Sequence, residues 1–231
     1  MSWGRGLARR ALSALEVPSL VAVPLALLLC AAHGVEQSAL LTLGVAVVAI
    51  AVQACGIEVS RPGIRQVVPC VVLGAAAAAG RVMFAPIPNV KPVCAIAIIA
   101  GASFGRQCGF AVGALAAFAS NAFFGQGPWT PWQMYSWGLV GFLAGVIAPT
   151  GLFERPVPRA ALGLAAGLVY GIVMDTWNLV GFVHPITLPA ALANYALGLP
   201  HNLTHGVATA VFLSLIYRPW HAMLRRVAER L

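Results

Sequence analysis

The sequence is poor in charge. Only 9% of its 231 residues are charged, against about 25% in a typical soluble domain, and 60% are hydrophobic. Six acidic and 14 basic residues are too few to cover the surface of a soluble protein. The net charge of +8 does not indicate nucleic-acid binding, because the basic residues stand singly between apolar runs. The composition therefore favours an integral membrane protein.

Several chemical motifs are missing. The sequence has no G-K-[ST] element of a Walker A loop, which excludes ATP hydrolysis by that route. Asn202 follows His201 where a zinc protease of the H-E-x-x-H type needs its glutamate, so His201 and His205 do not predict a metal site. The cysteines are odd in number and form no C-x-x-C pair, which predicts free buried thiols rather than disulfides. They are Cys30, Cys55, Cys70, Cys94 and Cys108.

Apolar runs of about 20 residues are long enough to cross a membrane as helices. The sequence predicts an all-α integral membrane protein with about eight spans. The stretch Gly181–Pro200 is broken by Pro185, Pro189 and Pro200, which predicts a loop with a short re-entrant or interfacial helix at Pro189–Leu197. The predicted spans are Val17–His33, Ser38–Ile57, Gln66–Val82, Pro92–Phe104, Gln107–Phe124, Pro131–Ala148, Ala160–Asn178 and Asn202–Tyr217.

The basic residues give this topology a direction. Cytoplasmic loops of membrane proteins carry an excess of Lys and Arg. With the N-terminus inside, only Arg81 and Lys91 fall outside, and both lie in the segment Gly80–Pro92. We therefore predict a multi-pass protein of a prokaryotic cell membrane with both termini cytoplasmic. The 12 basic residues predicted inside, of 14 in all, are Arg5, Arg9, Arg10, Arg61, Arg65, Arg106, Arg155, Arg159, Arg218, Arg225, Arg226 and Arg230.

Asp175 is the only acidic residue deep inside an apolar run. An ionisable group within a span indicates a functional site, because its desolvation has to be offset. Arg81 and Lys91 are predicted on the same side and are candidate counter-charges. The competing interpretation is a carboxylate at a helix end that touches interfacial water.

The loop Gly125–Gln133 is the second distinctive outer segment. Thr130 and Gln133 are spaced as a capping box at a helix start. Trp129 and Trp132 either anchor the helix at the membrane interface or face an outward pocket together with Gln126.

Gly101–Gly105 matches G-x-S-x-G, the pattern around a serine nucleophile. Ser103 is predicted at the inner end of its span and His205 at the outer end of another, about 30 Å apart. This distance excludes a Ser103–His205 dyad, so we expect a small-residue helix end and no catalytic residue.

The third predicted span carries small residues at positions four apart, such as Ala75 and Ala79. Such pairs let helix backbones approach closely in lipid. They predict either packing within this protein or a docking face for a second membrane protein.

From about Gln66 to Tyr217 the sequence resembles the substrate-binding S components of energy-coupling factor (ECF) vitamin transporters, and most of all the members linked to cobalamin uptake. The segments that carry the resemblance are Gly80–Pro92, Gly101–Gly105, Gly113–Asn121, Gly125–Gln133 and Gly138–Gly145.

The resemblance implies a six-helix core that binds a vitamin or related micronutrient in an outward cavity. Met83–Lys91 and Gly125–Trp132 would be its lids. It also implies partners, namely a transmembrane coupling subunit and two cytoplasmic ATPase subunits, with Ala75 and Ala79 on the docking face. No cofactor, metal or nucleic acid is implied.

The expected organisation is a basic cytoplasmic segment (1–16), two extra transmembrane helices (17–65), the six-helix core (66–220) and a basic cytoplasmic tail (221–231). The expected function is vitamin capture for an ECF-type ABC importer, favouring cobalamin or a related corrinoid, and not an enzymatic activity. The alternatives are a secondary transporter coupled to an ion through Asp175 and an intramembrane hydrolase using Ser103. The expected ligand-binding residues are Arg81, Asn89, Lys91, Gln126, Trp129, Trp132, Asp175, Asn178, Asn194 and His201.

Overall fold

The computed structural model describes the backbone of residues 2–33, 38–60 and 64–229, and the side chains of 11–30, 32–33, 39–57 and 67–229. Half of the basic residues predicted inside fall outside the described side chains. They are Arg5, Arg9, Arg10, Arg61, Arg65 and Arg230.

The predicted all-α class is confirmed: the described residues contain no strand and form eight α-helices. Two short 3-10 turns, Ala148–Thr150 and Leu152–Glu154, join the sixth and seventh helices. The helices are α1 Ser2–His33, α2 Ser38–Ser60, α3 Ile64–Met83, α4 Val93–Phe104, α5 Arg106–Phe124, α6 Trp129–Ile147, α7 Pro156–Phe182 and α8 Leu188–Ala228.

Four helical segments are long and apolar enough to cross a membrane. The helix α4 has only 12 residues, about 18 Å of helix, which is shorter than a typical spanning helix. The four segments are Ala11–Cys30, Ala39–Ile57, Arg106–Phe124 and Pro156–Phe182, and shorter apolar helices occupy Val67–Met83 and Val93–Phe104.

The helix α4 is the centre of the core. All residues from Val93 to Gly101 are buried, so α4 is apolar on every side and surrounded by other helices. The helices α3, α5, α6 and α8 all pack against it. The groups at either end of α4 are therefore held by the most buried part of the molecule.

Glycines bring α4, α5 and α6 into backbone contact. A Cβ atom added at Gly101 would lie 2.2 Å from the carbonyl oxygen of Gly141. A Cβ atom added at Gly109 would lie 2.2 Å from the same oxygen. Gly101 of the G-x-S-x-G segment is therefore a packing glycine, which fits the expected small-residue helix end.

The helices α7 and α8 pack antiparallel through small residues spaced four apart. Each glycine of α7 on this face meets α8 so closely that a side chain would collide with it. The same register places Asp175 against Gly198 further along the pair, where only a glycine leaves room for the carboxylate. The paired positions are Gly163–Ala210, Gly167–Gly206, Gly171–Asn202 and Asp175–Gly198.

The prediction of a separate short helix at Pro189–Leu197 was wrong. The helix α8 runs unbroken for 41 residues and contains Pro200 and Pro219. Its true N-cap is Thr187, whose side chain accepts a hydrogen bond from the Ala190 amide at 3.3 Å. A proline removes one helical hydrogen bond but does not end a helix that its neighbours hold in place.

The helix α1 is fastened to the rest of the bundle by a buried carboxylate. Glu16 of α1 is 2% exposed and forms an ion pair with Arg106 at 2.9 Å. Gln107 also donates to Glu16 at 2.5 Å, and the Tyr135 hydroxyl donates to the Leu20 carbonyl at 2.7 Å. These polar contacts tie α1 to α5 and α6.

The expectation that all cysteines are free thiols was wrong. Cys70 of α3 and Cys108 of α5 form a disulfide, with Cα atoms 5.6 Å apart. Their separation of 38 residues gave no sign of this, because only the packing of α3 on α5 brings them together. Cys30, Cys55 and Cys94 are free.

Candidate functional site

The bundle has two ends that differ in their polar groups. At one end α3 finishes, residues 84–92 form a turn with three prolines, and α4 begins. We call this the proline-loop end and the segment 84–92 the proline loop. At the other end, which we call the opposite end, α4 passes into α5 at Gly105, whose φ of 91° suits glycine.

Arg81 lies at the last turn of α3 and is held by neutral groups. Its Nη1 atom donates to Ser120 Oγ and to Asn121 Oδ1, both at 2.6 Å. Its Nη2 atom lies 3.4 Å from Gln133 Oε1. The guanidinium carbon is 4.6 Å from the ring centre of Phe124. Hydroxyl, amide and aromatic groups therefore solvate this cation.

Asn121 is the centre of this polar network. It is fully buried, accepts from Arg81, and donates to Thr130 Oγ1 at 3.0 Å and Gln133 Oε1 at 2.8 Å. Thr130 in turn donates to Gln126 Oε1 at 2.9 Å. The expected capping box was wrong: α6 begins at Trp129 without a side-chain cap, because Gln133 turns to Asn121 and Arg81 instead.

A row of rings leads from Arg81 across the bundle. The Arg81 guanidinium lies 4.8 Å from the Trp137 ring centre. Trp137 stacks on Tyr170 with ring centres 4.6 Å apart, and Tyr170 lies 4.9 Å from the His205 ring. Sequence reasoning missed Trp137 and Tyr170 as members of this cluster, since aromatic residues in apolar spans are usually core.

Lys91 organises the proline loop. Its ammonium donates to the carbonyl oxygens of Phe84 and Ile87, the latter at 2.9 Å, and lies 3.4 Å from that of Ala85. These carbonyls follow the end of α3, where helical partners are lacking. Partial burial, and then the nearby charge of Arg81, lower the pKa of Lys91. Lys91 therefore stabilises the loop through its backbone.

The proline loop is also tied to α8. Asn89 has a positive φ of 59°, and its carbonyl oxygen lies 2.9 Å from His205 Nδ1. Because a carbonyl only accepts, Nδ1 carries the proton. The other ring nitrogen, Nε2, then faces the thiol of Cys94 at 3.3 Å. No group of three or more His, Cys, Asp or Glu residues that could hold a metal occurs among the described residues.

Asp175 belongs to the α7–α8 contact. Its carboxylate accepts from Asn202 Nδ2 at 2.6 Å, and its backbone carbonyl accepts from Asn194 at 2.9 Å. Asn178 donates to Asn194 Oδ1 at 2.8 Å. Neither Arg81 nor Lys91 forms an ion pair with it within 4.0 Å, so the counter-charges considered from the sequence are replaced by amides.

The other expected residues are placed differently. Trp129 is partly exposed, and its ring N–H donates to the Gly125 carbonyl at 3.3 Å. Gln126 is exposed and donates to the Phe118 carbonyl. Trp132 is fully buried in a cluster with side chains of α1 and α2. His201 is exposed on α8.

The opposite end holds a second polar group. Ser103 Oγ lies 2.8 Å from His221 Nδ1, and His221 Nε2 lies 3.7 Å from a Glu154 oxygen. The Tyr217 hydroxyl donates to the same oxygen at 3.1 Å and its ring stacks on His221. The sequence pointed to Ser103, but it missed His221 because that residue lies in the basic C-terminal segment.

Residues 62–230 match the family described as "Family of unknown function (DUF6580)". The chain belongs to the DUF6580 family. The DUF6580 match begins between α2 and α3 and includes both polar groups described above, whereas Glu16 lies before it. No curated protein and no solved structure matches the chain.

Proposed function

We propose that this protein is the substrate-binding S component of an ECF-type importer, a multi-pass protein of a prokaryotic cell membrane with both termini in the cytoplasm. The observation that carries the proposal is that two loops are fastened to one cluster of side chains. The proline loop is tied through Asn89 to His205, and the loop before α6 is tied through Gln126 and Thr130 to Asn121. Arg81 and the ring row lie between these attachments.

The arrangement suits capture of a small molecule. Binding sites of this kind combine apolar walls with a few polar groups that fix orientation. Here Phe124 and Tyr170 supply apolar surface, while Arg81 supplies charged donors. The two loops are short and are held by a few hydrogen bonds and, in the proline loop, by a contact between the rings of Phe84 and Phe212, so opening one of them requires little rearrangement of the buried helix α4.

The favoured ligand class is a vitamin, with cobalamin or a related corrinoid first. Mass spectrometry of small molecules that co-purify with the detergent-solubilised protein tests this directly. A corrinoid or another vitamin in stoichiometric amount supports the proposal. Protein that carries no small molecule and binds neither cyanocobalamin nor any other vitamin tested contradicts it.

The import step is tested by uptake in cells. The proposal requires a transmembrane coupling subunit and two ATPase subunits, because the sequence has no nucleotide-binding loop. We expect uptake only when all of these are co-expressed and ATP is present. Uptake by this protein alone in ATP-free liposomes would instead favour a secondary transporter coupled through Asp175.

Docking of the coupling subunit is proposed on the exposed face of α3. Ala75 and Ala79 are exposed there beside Val71 and Val72, so they do not serve packing inside the bundle. We expect leucine at both alanines to abolish uptake and leave ligand binding unchanged. Leucine at Ala165, an exposed alanine of α7, is the matched control. Loss of ligand binding in the α3 variant would refute the docking role.

A second candidate function rests on the Ser103–His221 contact. The sequence predicted His205 to lie too far from Ser103, but His221 Nδ1 is within hydrogen-bond distance. Burial lowers the pKa of His221, which lies in the segment predicted outside the membrane, while Glu154 raises it. A neutral His221 would accept the Ser103 proton as Oγ bonds to a carbonyl carbon.

A fluorophosphonate probe separates the two functions. A serine hydrolase predicts labelling of Ser103 that Ser103→Ala and His221→Gln both abolish. No labelling of the wild-type protein would leave the contact as a structural hydrogen bond that joins α4 to α8.

A further inference from the structure

The positive charge at the proline-loop end has no negative partner. Among the described side chains, ion pairs within 4.0 Å join Arg106 to Glu16, His221 to Glu154, and Arg225 to Glu229. None involves Arg81 or Lys91, and Asp175 is bonded to Asn202 instead. The proline-loop end therefore carries two cations held by neutral groups.

The two edges of the Arg81 guanidinium differ in their hydrogen bonds. Its Nη1 atom donates both N–H groups, one to Ser120 and one to Asn121. Its Nη2 atom makes one long contact with Gln133 at 3.4 Å. The Nε atom donates to none of the described residues, and the side chain is partly exposed. The Nε–Nη2 edge therefore carries one long hydrogen bond, while the Nη1 side carries two short ones.

This edge has the geometry that a carboxylate needs. Two parallel N–H groups of a guanidinium bind the two oxygens of a planar carboxylate, a contact that neutral ligands cannot reproduce. Phe124 and Trp137 lie against the cation and lower the local dielectric, which strengthens its attraction for an anion. Lys91, which donates to the Ile87 carbonyl of the proline loop, adds a second positive charge at this end.

We propose that the Nε–Nη2 edge of Arg81 binds the carboxylate of the small molecule that this protein captures. The inference rests on the proposed function and narrows its ligand class to carboxylic acids. It places the acid group between the two loop attachments, with Asn121 holding the guanidinium in orientation. A corrinoid fits this class only through an acidic side chain of its ring.

The test compares acids with their amides on the purified full-length protein. The probes are nicotinate and nicotinamide, biotin and biotinamide, and benzoate and benzamide, titrated by calorimetry. We expect at least one acid to bind about 30-fold more tightly than its amide, the size of effect found when one partner of a desolvated charge pair is removed. An amide that binds as tightly as its acid in every pair, or no binding by any acid, overturns the proposal.

Variants locate the effect. Arg81→Gln removes the charge and should abolish the preference for the acid, and Arg81→Lys should lose about tenfold because it keeps the charge without the paired donors. Arg218→Gln, at an exposed arginine of α8, is the matched control and should keep the preference. An unchanged preference in Arg81→Gln overturns the assignment, and the wild-type comparison of acid with amide stands even if that variant does not fold.

The outcome is separable from that of the importer proposal. If a neutral vitamin co-purifies and Arg81→Gln still binds it, the carboxylate assignment fails and the importer proposal stands. If acids bind through Arg81 but uptake does not depend on the ATPase subunits, the assignment stands and the importer proposal fails.

Discussion

Arg106 at the opposite end and Arg81 at the proline-loop end are held by different means. At the opposite end Arg106 faces the carboxylate of Glu16, while the buried Arg159 donates to the Phe153 carbonyl at 3.0 Å. At the proline-loop end Arg81 is held by a hydroxyl and two amides, and Lys91 by backbone carbonyls. Ion pairs neutralise a charge, whereas neutral dipoles only stabilise it. The proline-loop end therefore keeps a positive potential that an incoming ligand can use.

This difference separates structural charges from functional ones. Glu16 joins α1 to α5, so its ion pair has a role in holding the bundle together. A neutral side chain could connect the same helices as Arg81 does, whereas burying an unpaired cation costs free energy. Such a cost is expected where a site is built for binding rather than for stability.

Truncation of Asn121 should have the largest effect on stability. Asn121→Ala removes the acceptor of Arg81 and the donor to Thr130 and Gln133, in a position with no access to water. We expect a loss of about 3 kcal/mol in the free energy of unfolding. Asn178→Ala, at an exposed asparagine, should change it by less than about 0.5 kcal/mol. Denaturant melts in detergent measure both, and equal losses would contradict the network.

Breaking the Glu16–Arg106 ion pair at the opposite end should have the second largest effect on stability. Glu16→Ala leaves Arg106 without its carboxylate, but Arg106 is 43% exposed and can be hydrated. We therefore expect a loss of about 2 kcal/mol, below the range for fully buried pairs. Glu154→Ala is the control, because Glu154 is 60% exposed and should cost less than about 1 kcal/mol. A larger loss for Glu154→Ala than for Glu16→Ala would contradict the structural role given to the Glu16–Arg106 ion pair.

Neutralising the proline-loop end should cost little stability. Arg81→Gln gives up hydrogen bonds but also removes an unpaired desolvated charge, so we expect a change of less than about 1 kcal/mol in the free energy of unfolding. Arg106→Gln, which leaves Glu16 buried without a cation, should cost about 2 kcal/mol. If Arg81→Gln proves the more destabilising of the two, the contrast between the ends is wrong.

The smallest expected effect is a pH dependence at the opposite end. Burial lowers the pKa of His221 in the folded protein below its unfolded value of about 6.5. The unfolded chain then binds more protons between these two values, so this contribution is present above about pH 6.5 and is lost as the pH falls toward the folded pKa. Between pH 8 and pH 5 the free energy of unfolding of the wild type, taken from melting curves, should fall by about 1 kcal/mol or less. The variant His221→Gln should not show this loss.

Much of the architecture followed from the sequence. Apolar runs predicted the helices α3, α4 and α5 to within a few residues, because each run is bounded by glycine or proline. The unusual charges of Arg81 and Lys91 pointed to the proline-loop end. Pro200 misled, since a proline inside a packed helix does not stop it.

The partners of the candidate residues could not be predicted. Arg81 and Asn121 are separated by 40 residues, and His205 and Asn89 by 116. The only sign of Asn121 was an amide inside an apolar helix, and Tyr170 gave no sign beyond its ring. Ser103 was recognised from its motif, but its contact with His221 depends on where the last turns of α8 lie.

By itself, the sequence determined the helical class, the approximate helix bounds and the scarcity of charge, because these depend on local composition and hydrophobic runs. Only the tertiary structure decided which charges are paired. The close approach of α7 to α8 pairs Asp175 with Asn202. The packing of α3 and α6 on α5 brings Arg81 to its neutral partners. Pairing is a matter of distances of a few ångströms between helices, which helix packing sets and local composition does not.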